Sequence, residues 1–229
     1  MDKKLIISNL SLTFEEKNKV LSNINFHIDD SEIGCILGPS GCGKTSLLRA
    51  IAGFESISSG SILKDGVCIT NSVENTPVAN RNMGMVFQDY ALFPNMDVKS
   101  NIAFGLKNST ELEKDNRVNY LLDLVNLVDC KNKYPHELSG GEQQRIALVR
   151  ALAPSPDIIL MDEPFSNIDQ DIKEELVSDV RLLLKELAIT SIIVTHDQNE
   201  AFNLADKVAI MNNGTCLLYT SPSPRDLAQ

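Results

Sequence analysis

The segment Gly38-Pro39-Ser40-Gly41-Cys42-Gly43-Lys44-Thr45 fits the pattern G-x-x-x-x-G-K-[ST]. Glycines at that spacing let backbone N–H groups converge on phosphate oxygens at a helix N-terminus. The lysine then reaches the outer phosphates and the threonine hydroxyl suits Mg²⁺. A glycine-rich turn that happens to precede Lys-Thr is the plain alternative. Its context argues for chemistry: the apolar run Ile33-Gly34-Cys35-Ile36-Leu37 leads into it as a strand, and a helix is expected over 44–52.

A second group comes much later in the chain. Ile158-Ile159-Leu160-Met161 reads as a buried strand ending on Asp162 and Glu163. Taken alone, this pair is equally an acidic turn. Beside a phosphate loop it becomes a metal and base site, with Asp162 positioning Mg²⁺ and Glu163 polarising a water that attacks the γ-phosphate. His196 follows the strand Ser191-Ile192-Ile193-Val194. A lone histidine is most often a surface residue, but at a strand tip it is also placed to touch that phosphate.

Ser139-Gly140-Gly141-Glu142 is a capping box, Ser followed three residues later by Glu at a helix start. A capped N-terminus with two glycines is also an anion site open to close approach. One chain already supplies a phosphate loop, so this second site is expected to serve a nucleotide bound to another subunit. Gln88 falls at the end of an expected strand and is either a solvated end or a site residue, and Phe14 is either core or a platform for adenine stacking. Tyr90 to Pro94 is apolar and is expected to line a groove for a partner's helix.

The elements that must hold these groups are legible in outline. Residues 4–37 read as strands broken by polar turns, with further strands at 61–69 and 84–88. Helices are expected at about 98–106, 111–128 and 141–153. Buried strands at 158–161, 191–194 and 207–211 then alternate with helices, as in a parallel α/β sheet. The helix at 171–187 carries Ile172, Leu176, Val180, Leu183, Leu184 and Leu187 on one face, read as core packing.

Composition sets limits. The 229 residues suffice for one core with a subdomain folded into it. No apolar run approaches the roughly 18 residues of a membrane helix, and Leu5-Ile6-Ile7 is too short for a signal peptide, so the expected compartment is the cytoplasm. A net charge of −10 argues against a nucleic-acid partner. The five cysteines, at 35, 42, 68, 130 and 216, have neither ligand spacing nor an even count and read as reduced thiols.

With these motifs in this order, residues 3 to about 214 resemble the ATP-binding cassette (ABC) transporter ATPases. The resemblance implies an α/β P-loop cassette: a parallel core sheet, an N-terminal antiparallel β subdomain and an inserted helical subdomain. The catalytic core is then 1–88 with 156–215, and the helical signature subdomain is 89–155. Carried over, Gly38 to Thr45 with Ser46 is the Walker A motif and Gln88 the loop glutamine that joins Thr45 and Asp162 around Mg²⁺. Leu138 to Glu142 is the signature and Ile158 to Asp162 is Walker B. Glu163 is the catalytic glutamate, Ser166-Asn167-Ile168-Asp169 the D-loop and His196 the switch histidine. Glu142 departs from the commoner glutamine. The family's chemistry is ATP hydrolysis with Mg²⁺. Two copies sandwich two ATP molecules between the Walker A of one and the signature of the other. The implied partners are a second copy of the chain, an integral membrane permease and, indirectly, a substrate-binding protein, with the chain peripheral at the inner face of the cell membrane. The stretches Gly84 to Pro94 and Asp162 to Asn167 look most like ferric-iron importers, with polyamine, sulfate and sugar importers as alternatives. A soluble ABC protein of DNA repair or translation is a further alternative, disfavoured by a single cassette and a short insert.

The last stretch breaks the pattern. Cys216 to Asp226 resembles the in-frame translation of a transposase adapter used in sequencing libraries. Residues 216–229 are therefore expected to be a non-native tail without a partner in the fold. The family's remaining core segment and C-terminal regulatory domain would then be missing, and a third alternative is that the truncated chain folds poorly and does nothing.

Overall fold

The computed structural model describes residues 3–14, 18–107 and 109–221. Two sheets carry the fold. The first is antiparallel, in the order β2-β1-β4-β5: β1 (Lys3–Phe14), β2 (Asn18–Asp29), β4 (Ser59–Lys64) and β5 (Val67–Asn71). The second has the order β10-β9-β3-β8-β7-β6, from β3 (Ile33–Leu37), β6 (Met83–Val86), β7 (Ile158–Asp162), β8 (Thr190–Thr195), β9 (Lys207–Asn212) and β10 (Thr215–Thr220). All its pairings are parallel except β9 with β10.

Every residue of β3, β7 and β8 is buried, as expected of parallel strands covered on both faces. Alternate side chains enter different cores. Ile158 and Leu160 join the antiparallel sheet and α1 (Lys44–Ala52), while Ile159 and Met161 join the helices beyond the other face. Those helices are α2 (Val98–Ala103), α3 (Glu111–Leu124) and α4 (Gly140–Leu152), together with α5 (Gln170–Glu186); α6 (Gln198–Leu204) packs beside β3. On α5, Leu176, Val180, Leu183 and Leu184 are buried as expected, but Ile172 is about half exposed.

Arg81 ties the layers together. It is 1% exposed and donates to Ala50 O (3.2 Å) and Ile51 O (2.7 Å) at the end of α1. It also reaches Thr76 O and the Thr70 hydroxyl beside β5. A cation against the last carbonyls of α1 satisfies groups that the helix itself cannot pair.

Several expected boundaries are corrected. The single strand at 61–69 is a hairpin: Asp65 and Gly66 both have positive φ (49° and 76°) and turn β4 back into β5. The strand at 84–88 ends at Val86, so Gln88 lies in the turn beyond it. The helix at 111–128 ends at Leu124, and a short 3₁₀ turn follows at Val128–Cys130.

The expectation that the chain leaves the fold at Cys216 is also corrected for residues 216–220. Asn213 (φ 46°) and Gly214 (φ 72°) form a tight turn that returns the chain as β10 against β9. Tyr219 packs on Phe26 and His27, with ring centroids 5.9 and 5.5 Å away, and its hydroxyl donates to His27 O. Lys207 Nζ lies 6.0 Å over the same ring. Residues 222–229 of the expected tail lie outside the described residues.

Tyr219→Ala is accordingly expected to destabilise the protein by about 1–3 kcal/mol, less than the cost of a fully buried aromatic because the ring is only partly covered. Chemical denaturation checks this, and an unchanged midpoint would place β10 outside the cooperative fold.

Candidate active site

The order β3-β8-β7-β6 brings the carboxyl ends of four parallel strands side by side, and the loops that leave those ends carry the predicted residues. In open α/β sheets, ligands bind in this crevice. Gly38 to Gly43 leave β3, His196 follows β8, Asp162 ends β7 with Glu163 after it, and Gln88 follows β6.

The loop after β3 wraps the start of α1. Gly43 caps the helix with φ 101°, and a Cβ there would meet Leu21 Cδ2 at 2.8 Å and Val20 O at 3.0 Å, so only glycine fits. The turn between β9 and β10 supports the loop from behind. Gly214 N donates to Cys42 O (3.0 Å), and Ser22 N donates to Gly214 O (2.7 Å). Lys44 is 4% exposed and its ammonium donates to Gly38 O (2.8 Å) and Pro39 O (3.0 Å), folded over the loop it follows. Ser40, Gly41, Lys44, Thr45, Ser46 and Glu163 line a pocket of about 200 Å³.

Thr45 Oγ1 donates to Asp162 Oδ1 at 2.9 Å, joining the first turn of α1 to the end of β7. Burial pushes the Asp162 carboxyl above the ordinary range; the Thr45 hydrogen bond opposes this and the adjacent Glu163 charge adds to it. Glu163 has φ 44° and its N–H donates to Val194 O of β8 (2.9 Å), which aims its side chain across the strand ends. His196 Nδ1 lies 3.1 Å from Glu163 Oε2. Thr45, Asp162 and Gln88 line a second hollow of about 470 Å³ with Arg49, Phe87 and Asn167.

The donor set fits a hard cation. A hydroxyl, a carboxylate and an amide oxygen suit Mg²⁺, which usually takes one or two protein oxygens and completes its shell with phosphates and water. Among the described residues no group of three or more His, Cys, Asp or Glu converges as a metal cage.

Two predicted groups lie apart. Ser139 Oγ accepts from Glu142 N (3.3 Å) and Glu142 Oε2 from Ser139 N (2.7 Å), a complete capping box on α4. Those bonds hold the Glu142 carboxyl below the usual range. This turn lines neither hollow. Phe14, at the end of β1, is 41% exposed and lines neither.

Sequence reasoning missed Arg49 as a neighbour of the site and the contact by which Asn167 reaches Gln88. Arg49 lies one helical turn beyond Thr45 on α1, a spacing that could have flagged it. Asn167 Nδ2 donates to Gln88 O (3.0 Å) and so ties two loops 79 residues apart; no local pattern announces that contact.

The pattern describing the ABC transporter family matches residues 21–166, more than half of the chain. The chain belongs to the ABC transporter family. A spermidine/putrescine import ATP-binding protein of Thermotoga maritima is 45% identical over 94% of this chain and 58% of its own length. An Fe(3+) ions import ATP-binding protein of Rhizobium meliloti is 46% identical over 84% and 48%. A sulfate/thiosulfate import ATP-binding protein of Acinetobacter baylyi is 48% identical over 88% and 58%. This chain therefore spans about half the length of the curated relatives it matches. Among solved structures, cbiO1 of Clostridium perfringens, part of the ABC transporter complex cbiONQ, superposes with a TM-score of 0.89 at 30% identity. That match covers 100% of this chain and 92% of the other. The expected α/β cassette, with its antiparallel β subdomain and helical insert, is the fold observed. No helix among the described residues is long and apolar enough to cross a membrane.

Proposed function

We propose that this chain is the ATP-hydrolysing motor subunit of an ABC importer. The observation that carries the reading is that Lys44, Thr45 and Glu163 line one pocket at the strand ends, with Asp162 bonded to Thr45 and His196 beside Glu163. The loop N–H groups and Lys44 hold the phosphates of ATP. Thr45, Asp162 and Gln88 would hold Mg²⁺, which would supply positive charge against the phosphates. Glu163 takes a proton from the attacking water and His196 contacts the γ-phosphate.

The signature turn supports a second copy as partner. A Cβ on Gly140 would lie 3.5 Å from Asn167 O and one on Gly141 3.6 Å from Ile172 Cδ1, both ordinary contacts. The chain's own packing therefore does not demand glycine at either position. What the turn offers a second copy is the set of N–H groups at a capped helix N-terminus, a site for a phosphate. In this reading ATP bound by one copy is closed over by Ser139 to Glu142 of the other, with Phe14 stacking on the adenine.

The helical insert supplies the face for a membrane permease. Arg150 donates to Ala91 O (2.6 Å) and Tyr90 O (3.0 Å), and Asn101 brackets Phe93, whose ring lies 4.5 Å from that of half-exposed Phe104. This fixed apolar corner sits directly after Gln88, where a change at the γ-phosphate can be passed on. A substrate-binding protein would act through that permease, and the chain would lie at the inner face of the membrane.

For the cargo we favour ferric iron, on the stretches Gly84 to Pro94 and Asp162 to Asn167. The polyamine reading has its own support in the relative that is 45% identical over nearly the whole chain, and a sulfate importer relative is as similar.

Glu163→Gln is expected to keep ATP affinity and to slow hydrolysis by about 10²- to 10⁴-fold, since the amide preserves shape but takes up no proton. Single-turnover hydrolysis measures this, and wild-type turnover would remove Glu163 from its role.

Phe93→Asp is expected to abolish uptake in cells while purified protein binds and hydrolyses ATP normally. Normal uptake would exclude this corner as the permease contact. Rescue of ferric-iron rather than spermidine or sulfate uptake, in strains each lacking the corresponding ATPase, is the expected outcome for cargo; rescue of another solute alone would replace that assignment.

A further inference from the structure

The turn that carries His196 is held by a buried polar cluster that the site chemistry does not use. Glu200 on α6 is 4% exposed, and both carboxylate oxygens are spent on neighbours of His196 or on α5. Oε2 accepts from the Thr195 hydroxyl, and Oε1 pairs with the Lys173 ammonium. Lys173 also bonds Asp197 Oδ2 at 3.1 Å. Asp197 in turn caps α6, its Oδ1 accepting from Asn199 N (2.8 Å), while its own N–H donates to Thr195 Oγ1 (3.0 Å). The residues immediately before and after His196 are therefore both pinned. His196 itself projects clear of the cluster, its side chain 52% exposed, 3.1 Å from Glu163 Oε2.

Lys173 comes from α5, the helix that begins directly after the segment Ser166 to Asp169. Its side chain is 13% exposed and that of Glu200 5%. Burial works against the Lys173 charge, but the hydrogen bonds from Glu200 and Asp197 more than offset it and raise its pKa. A buried ion pair contributes little net stability compared with apolar packing, whereas removing one member leaves the other charge stranded. Such a pair is best explained by what it positions.

We propose that Lys173 and Glu200 are positioning residues for ATP hydrolysis, locking the His196 turn to α5 so that His196 stays against Glu163 and moves with the segment that precedes α5. This rests on the role given to His196 above. Misplacing a catalytic group by about 1 Å costs up to about 10²-fold in rate, so loss of the brace should act on turnover and not on nucleotide affinity.

The test compares Lys173→Met, Lys173→Arg and Glu200→Gln, each alone and combined with His196→Ala, by steady-state ATPase kcat, ATP affinity and melting temperature. Lys173→Met and Glu200→Gln are expected to lower kcat by about 10- to 100-fold with ATP affinity unchanged. Lys173→Arg should recover most of the rate. In the His196→Ala background Lys173→Met should cost nothing further, because both act through one group. Wild-type kcat in Lys173→Met overturns the proposal. So do multiplying effects in the double variant, or a loss of ATP affinity and melting temperature in step with kcat that arginine does not rescue. Wild-type kcat in His196→Ala overturns instead the role of His196, and with it the purpose of the brace.

Discussion

The hydrogen bond from Thr45 Oγ1 to Asp162 Oδ1 spans 117 residues of sequence and depends on one constraint, the adjacency of β3, β8 and β7. Without that strand order the phosphate loop and the acidic pair would have no common space. Much of the remaining architecture serves to hold these ends in register. Arg81 fixes the far end of α1, the turn at Gly214 supports the back of the loop through Cys42, and Val194 O orients Glu163. The Asp162 carboxyl, raised by burial and the adjacent Glu163 and lowered in part by Thr45, Arg49 and Lys44, is the electrostatic counterpart of the same constraint.

What could be read from the sequence follows the strength of local signals. Strands such as Ile158 to Met161 and Ile192 to Val194 are legible because burial on both faces demands continuous apolar residues. The phosphate loop is legible because its backbone tolerates so few residue types. The hairpins were missed although Asp65-Gly66 and Asn213-Gly214 are strong turn signals. At the second of these, the resemblance of Cys216 to Asp226 to an adapter translation, with its Ser/Pro run, argues against a strand, and a register shift between Cys216 and Leu218 breaks the alternation that would mark one. Asn167 with Gln88, and Lys173 with Glu200, were invisible because each pair is distant in sequence and joined only by topology.

In the proposed reading the same geometry calls for a second copy. The turn at Ser139 to Glu142 is capped from within, and a Cβ on either of its glycines would only touch the chain in ordinary contact. The phosphate pocket at Lys44 is lined by none of those residues. In the proposed reading these are two half-sites, which a two-fold assembly would bring together on ATP.

The most direct measurement of this account is sedimentation of the Glu163→Gln protein with Mg²⁺ and ATP, with and without an added Ser139→Arg substitution. The account predicts an ATP-dependent dimer for the first protein and a monomer that still binds ATP for the second. A dimer that persists in the Ser139→Arg protein, or ATP binding lost with that change, would contradict it.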